Sequence, residues 1–158
     1  MKKFFSFGLT ICLLISFIST GLIDINANAL VEGHFTYTVT NGEDKITSSS
    51  QNIGGSIRIP STLGGYPVTS IGSFAFKGRT GLSSITISEG IEHISSFAFD
   101  GWTGLKNIEI PSTIKSIDSF AFDDCTKLNA VYITDISNWC KITFETLESN
   151  PLYYAHNL

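Results

Sequence analysis

A strand-rich solenoid of about four stacked units is the fold class this sequence predicts, and three observations predict it. The first is a period: Ile71-x-x-Phe74-Ala75-Phe76, Ile94-x-x-Phe97-Ala98-Phe99 and Ile117-x-x-Phe120-Ala121-Phe122 follow one another in steps of 23 residues. The second is that the other apolar columns keep the same step: Leu82, Leu105 and Leu128; Ile85, Ile108 and Val131; Ile87, Ile110 and Ile133. The third is local alternation. In "NIEIP" Ile108 and Ile110 point one way and Asn107 and Glu109 the other, the period of two that marks a half-buried strand, and Pro111 then ends the ladder.

A period of 23 residues lies in the leucine-rich-repeat range, where each unit is a strand followed by a short helical or 3-10 turn. The class is therefore a leucine-rich-repeat solenoid, α/β in the usual scheme and dominated by strands. One unit cannot bury its apolar face alone, so the stacked array is what folds.

The elements follow in chain order. Residues 1–29 read as a secretory signal peptide: Lys2 and Lys3, the apolar run "FFSFGLTICLLISFI", then Ala27-Asn28-Ala29 as a small-x-small cleavage site. The run is shorter than the ~20 apolar residues of a membrane span, and no second such segment follows. Cys12 lacks the small residues before it that a lipoprotein signal would have. Residues 30–56 form an N-terminal hairpin cap that leads into repeats at 57–133. An upstream copy, Ile57-x-Ile59-Pro60, is set 28 residues before Ile85, and its five extra residues fall at the turn around "GGYPV". In each unit "TIKSI" or its equivalent gives a second short extended piece. "SFAFDD" reads as a tight helical turn with both aromatics pointing into the stack. Residues 134–158 form an aromatic C-terminal block of short helices, with Asn150 as N-cap and Pro151 opening a helix over "PLYYAHN".

Charge excludes several function classes. A net charge of −4 gives no basic footprint for nucleic acid or anionic lipid. Cleavage after Ala29 takes Lys2 and Lys3 from the 10 basic residues and Asp24 from the 14 acidic ones, leaving 8 and 13 and a net charge of −5. Catalytic chemistry is absent too. His34, His93 and His156 are scattered with no metal-ligand spacing. Ser73, Ser96 and Ser119 recur because the repeat recurs, and no His or Asp converges on them. Asp118, Asp123 and Asp124 sit in turns that Asp100-Gly101 and Lys77-Gly78 fill elsewhere, so they read as turn chemistry. No cofactor, metal or catalytic residue is expected, and the chain is read as a non-enzyme.

"IGSFAFKGRTGLSSITIS", "ISSFAFDGWTGLKNIEIPSTIKS" and "IDSFAFDDCTKLNAVYI" resemble the BspA-like, or Treponema pallidum-type, leucine-rich repeats over nearly all of residues 33–158. The resemblance implies a secreted or surface-displayed solenoid used for binding, with some members acting as adhesins towards matrix proteins or other cells. It also implies a column where many members place Cys; here it holds Arg79, Trp102 and Cys125. Two readings of the mature cysteines stand. Cys125 and Cys140 could form a disulfide, or Cys125 could be a small buried hydrophobe in that column with Cys140 beside Trp139, as the family's usage implies.

The expected binding residues are outward strand positions: Arg58, Thr86, Asn107, Glu109 and Tyr132, with Ser84 and Ala130 among them and Thr69, Glu92, His93 and Lys115 on the second extended piece. The expected partner is an unidentified protein or a cell-surface or matrix ligand. The competing expectation is the N-terminal part of a longer repeat protein whose anchor or other functional domain lies beyond residue 158.

Overall fold

The structure, a computed structural model, describes residues 29–155, so the leader before Ala29 and His156 lie outside the described residues. It opens with three antiparallel strands, β1 (Leu30–Glu32), β2 (Phe35–Thr40) and β3 (Glu43–Ser49). Asn41-Gly42 closes the β2–β3 hairpin with φ of 55° and 81°, the pair of left-handed residues that a right-twisted two-residue turn requires.

From there the chain alternates between two sheets. One holds β4 (Gly55–Ile59), β7 (Leu82–Ile87), β9 (Asn107–Ile110) and β11 (Ala130–Ile133), all parallel. The other runs β3, β6 (Tyr66–Ile71), β8 (His93–Ile94), β10 (Ser116–Ile117) and β12 (Thr143–Phe144), also parallel, with the cap strands at one end. The extra residues around "GGYPV" fold out as a small hairpin of β5 (Thr62–Leu63) on β6. Every 23-residue unit thus supplies one strand to each sheet, and the recurring Ile and Leu columns meet between them. The rings of Phe76, Phe99 and Phe122 stack along the array with centroids 5.4 and 5.2 Å apart.

The first phenylalanine of each motif departs from expectation. The segment is a turn rather than a helix, and only Phe76, Phe99 and Phe122 point inward. Phe74, Phe97 and Phe120 adopt φ of 61°, 58° and 59°, which reverses the chain and swings their rings out; Phe74 is 51% exposed. A left-handed conformation costs a non-glycine residue roughly 1–2 kcal/mol. The rings recover part of it by stacking on one another, with centroids 5.2 Å apart and planes within 6° and 17°. Phe97→Ala keeps the backbone cost and loses both stacks, whereas Phe97→Gly loses the stacks and relieves the backbone. In urea denaturation the Gly variant should be the more stable of the two by ~1 kcal/mol, against the usual order. The opposite order would mean that the left-handed turn carries no cost.

Arg79 anchors the cap. Its guanidinium is buried and donates from Nε to Ser49 Oγ at 2.9 Å, from Nη2 to Ser49 O at 2.6 Å, and from Nη1 to Gln51 Oε1 at 2.6 Å and Lys77 O at 3.2 Å. Burial pushes its pKa down, yet a guanidinium remains charged. The Arg79–Trp102–Cys125 column therefore varies because its first member meets the cap and the others meet sister repeats.

Asp44, on β3, is 1% exposed and neither carboxylate oxygen has a hydrogen-bond partner among the described residues. Burial above all, and then the charge of Glu32, raise its pKa; the Leu63 backbone N–H opposes this from outside hydrogen-bond geometry. A raised folded-state pKa means that the carboxyl favours folding most below its unfolded value, and that this support is lost as pH rises through the folded value. At neutral pH the wild type therefore carries a penalty. Asp44→Asn should stabilise the fold at pH 7, because the amide leaves the same groups unpaired but removes the charge that burial penalises. The gain should fade as pH is lowered to about 3.5, where the aspartate is itself protonated. Thermal melts at both pH values check this, and a gain of equal size at both would refute it.

The C-terminal block continues one sheet. β12 pairs with β10 so that Phe144 takes the place of Ile117, after a short α1 (Ile136–Trp139) capped by Asp135. A 3-10 turn (Leu147–Ser149) and α2 (Leu152–Ala155) follow. Asn150 Oδ1 accepts from Leu152 N–H at 2.9 Å, the N-cap expected there. Tyr154 closes the end: its Oη donates to Asp123 Oδ1 at 2.9 Å and accepts from Asp124 N–H at 3.2 Å. Among the described residues no helix is long and apolar enough to cross a membrane.

Candidate binding face

The outward side of β4–β7–β9–β11 is where the varying residues collect. Alternation along each strand sends Ile57, Ile59, Ile85, Ile87, Ile108 and Ile110 inward and their neighbours outward. Register then decides which outward residues become neighbours. Arg58 pairs with Thr86, Thr86 with Glu109, and Glu109 with Tyr132, forming one row across four strands. At ~4.8 Å per strand the row is about 14 Å long. Asn107 lies in the next row, between Ser84 and Ala130. Tyr132 is 58% exposed at the edge.

Arg58, Thr86 and Glu109 line an open cavity of about 220 Å³ together with Ser61, Glu89 and Thr134 from the loops that follow the strands. Those loop residues were missed from sequence, although the 23-residue step linking Ser88, Pro111 and Thr134 marked the same level of each unit. Glu89 is exposed but tied to the neighbouring units. Its carboxylate accepts from Ser112 N–H at 3.1 Å, from Ser112 Oγ and from Thr134 Oγ1 at 3.4 Å. Arg58 and Glu109 form no ion pair among the described residues, where the pairs are Lys77–Asp100 and Glu92–Lys115 and His93 Nε2 lies 3.9 Å from Glu92 Oε2.

The residues proposed on the second extended piece belong to the other sheet and do not join this face. Lys115 Nζ donates to Glu92 Oε2 at 2.6 Å, Thr69 Oγ1 donates to Glu43 Oε2 at 3.1 Å, and His93 Nδ1 lies 2.9 Å from Ser116 Oγ.

Cys125 and Cys140 are unpaired. Cys125 fills its repeat column, fully buried, and its Sγ–H donates to Phe99 O at 3.4 Å. Burial, reinforced by the charges of Asp100, Asp123 and Asp124, pushes the thiol up to about 12, so it stays protonated and unreactive. Cys140 caps α1 and is exposed, its side chain in solvent while the other faces the core.

The comparisons agree with this architecture. The model of the BspA type Leucine rich repeat region matches residues 49–154 in 6 copies. The crystal structure of the Treponema pallidum leucine rich repeat protein is 28% identical over 66% of this chain, with a TM-score of 0.60. This chain spans 49% of that protein's length. A leucine rich cell surface protein from Faecalibacterium prausnitzii is 26% identical over 68% of this chain and 37% of its own, with a TM-score of 0.55. A leucine-rich repeat protein from Bacteroides capillosus, 20% identical, shares the fold over 75% of this chain and 99% of its own at a TM-score of 0.61. No curated protein matches. With the repeat period, the paired parallel sheets and the matched copies all in agreement, the chain belongs to the BspA-type leucine-rich-repeat family, whose members serve generally in protein–protein interaction.

Proposed function

We propose that this chain is a secreted or surface-displayed binding module, without catalysis, that takes a protein or matrix ligand on the outward face of β4–β7–β9–β11. The observation that carries the reading is the contrast within one sheet. Inward columns repeat as Ile or Val, while the row Arg58–Thr86–Glu109–Tyr132 changes chemistry at every strand. A scaffold that presents a tunable face needs this combination. Export rests on the leader of residues 1–29 with cleavage after Ala29, and the likeness to a cell surface protein supports display. The cap at 30–56, the repeats at 57–133 and the block at 134–158 are read as parts of one module.

The test is an array of extracellular matrix and cell-surface proteins probed with the purified chain and with an Arg58→Glu/Tyr132→Ala variant. Both substitutions lie at exposed positions, so circular dichroism and melting should not change. Binding should fall by about 10-fold or more. Equal binding by both proteins would remove this face from the function. A second reading, the start of a longer repeat protein, is favoured by the chain's spanning 49% of the Treponema protein and 37% of the Faecalibacterium one. The intact mass of the native product in medium and cell envelope separates the two.

A further inference from the structure

We propose that the ligand segment recognised here is an extended, polyproline II-like peptide carrying one acidic and one basic side chain three residues apart, the acid facing Arg58 and the base facing Glu109. This deepens the reading of the β4–β7–β9–β11 face as the binding surface and rests on it.

Three observations lead there. Arg58 and Glu109 are charges of opposite sign on one cavity, and neither has an ion-pair partner among the described residues. They do not neutralise each other, because Thr86 stands between them and holds them two strand spacings apart, about 9.6 Å. Glu89, the other carboxylate of the cavity, keeps its charge, but both its oxygens already accept from Ser112 or Thr134, so Glu109 is the carboxylate left open to a ligand's base.

The spacing selects the backbone of the ligand. In a polyproline II segment residues i and i+3 share a side and lie about 9.3 Å apart, close to the Arg58–Glu109 separation. In a β-strand the side chains on one face recur every two residues, about 6.8 Å, and fall short. Tyr132, one strand beyond Glu109 and largely exposed, offers the flat ring on which such segments pack. The mixed signs disfavour nucleic acid, whose phosphates Glu109 and Glu89 would repel.

The purified chain would be titrated with fluorescent peptides built on Glu-Pro-Pro-Lys, with Glu-Pro-Lys as the spacing control and Lys-Pro-Pro-Lys as the charge control. The first should bind about 10-fold more tightly than either control, and more weakly as salt is raised. In Arg58→Glu the preference should invert, with Lys-Pro-Pro-Lys becoming the better ligand. Three results would overturn the proposal: no peptide binds, spacing makes no difference, or the inversion fails. If Tyr132→Ala and Arg58→Glu release bound peptide whatever its charges, the charge pairing falls and the binding face stands. If peptides bind and no substitution on this face affects them, the face itself falls.

Discussion

Arg79→Ala should detach the N-terminal hairpin from the repeats and lower global stability by about 3–5 kcal/mol. The side chain donates to Ser49 O, Ser49 Oγ, Gln51 Oε1 and Lys77 O, and its removal strands the two buried acceptors of Ser49, while the exposed Gln51 and Lys77 turn to water. Each unsatisfied buried acceptor costs roughly 1–3 kcal/mol, and bonds to a charged donor lie at the upper end of the usual range. Arg79→Lys should rescue little, because one ammonium cannot reach acceptors arranged around a planar fork. Urea denaturation gives the loss, and hydrogen exchange locates it: amides of β2 and β3 should lose the most protection, and those of β9 only what the global loss takes from them. A loss below about 1 kcal/mol would show that the cap is held by its apolar contacts instead.

Gly72 tests the same junction from the other side. A Cβ there would stand 2.7 Å from Ile46 O and 3.0 Å from Lys45 Cε, whereas Ser95 and Asp118 carry side chains at the same place in later units. The close approach of β3 explains why the first unit alone needs glycine.

Phe99→Ala should cost about 3–5 kcal/mol, enough to bring a domain of ordinary stability close to unfolding. Phe99 is fully buried and touches three rings: Phe76 at 5.4 Å, Phe122 at 5.2 Å and Trp102 at 5.4 Å. Its loss opens a cavity in the middle of the array, where the stacked units on either side hold each other in place. Phe122→Ala should cost less, since among the rings it stacks on Phe99 alone. The urea midpoint should fall in both variants with an unchanged slope, as for a loss of stability within one cooperative unit. A change in slope, or an equal cost at the two positions, would contradict the central role given to Phe99.

Sequence alone determined the period, the inward columns, the strand at each "NIEIP" and the outward status of Arg58, Thr86, Asn107, Glu109 and Tyr132. These follow from burial repeated at a constant step, and a one-dimensional pattern records that in full. Tertiary structure decided the rest. Whether Phe74, Phe97 and Phe120 face in or out depends on the sign of φ at each turn, which alternation of residue types does not encode. Arg79's role depends on Ser49 and Gln51, 30 and 28 residues away. Thr86 sits between Arg58 and Glu109 because parallel register places residues from three units side by side. The binding row is a product of stacking, so its members are neighbours in space while a full repeat or more of chain separates each from the next.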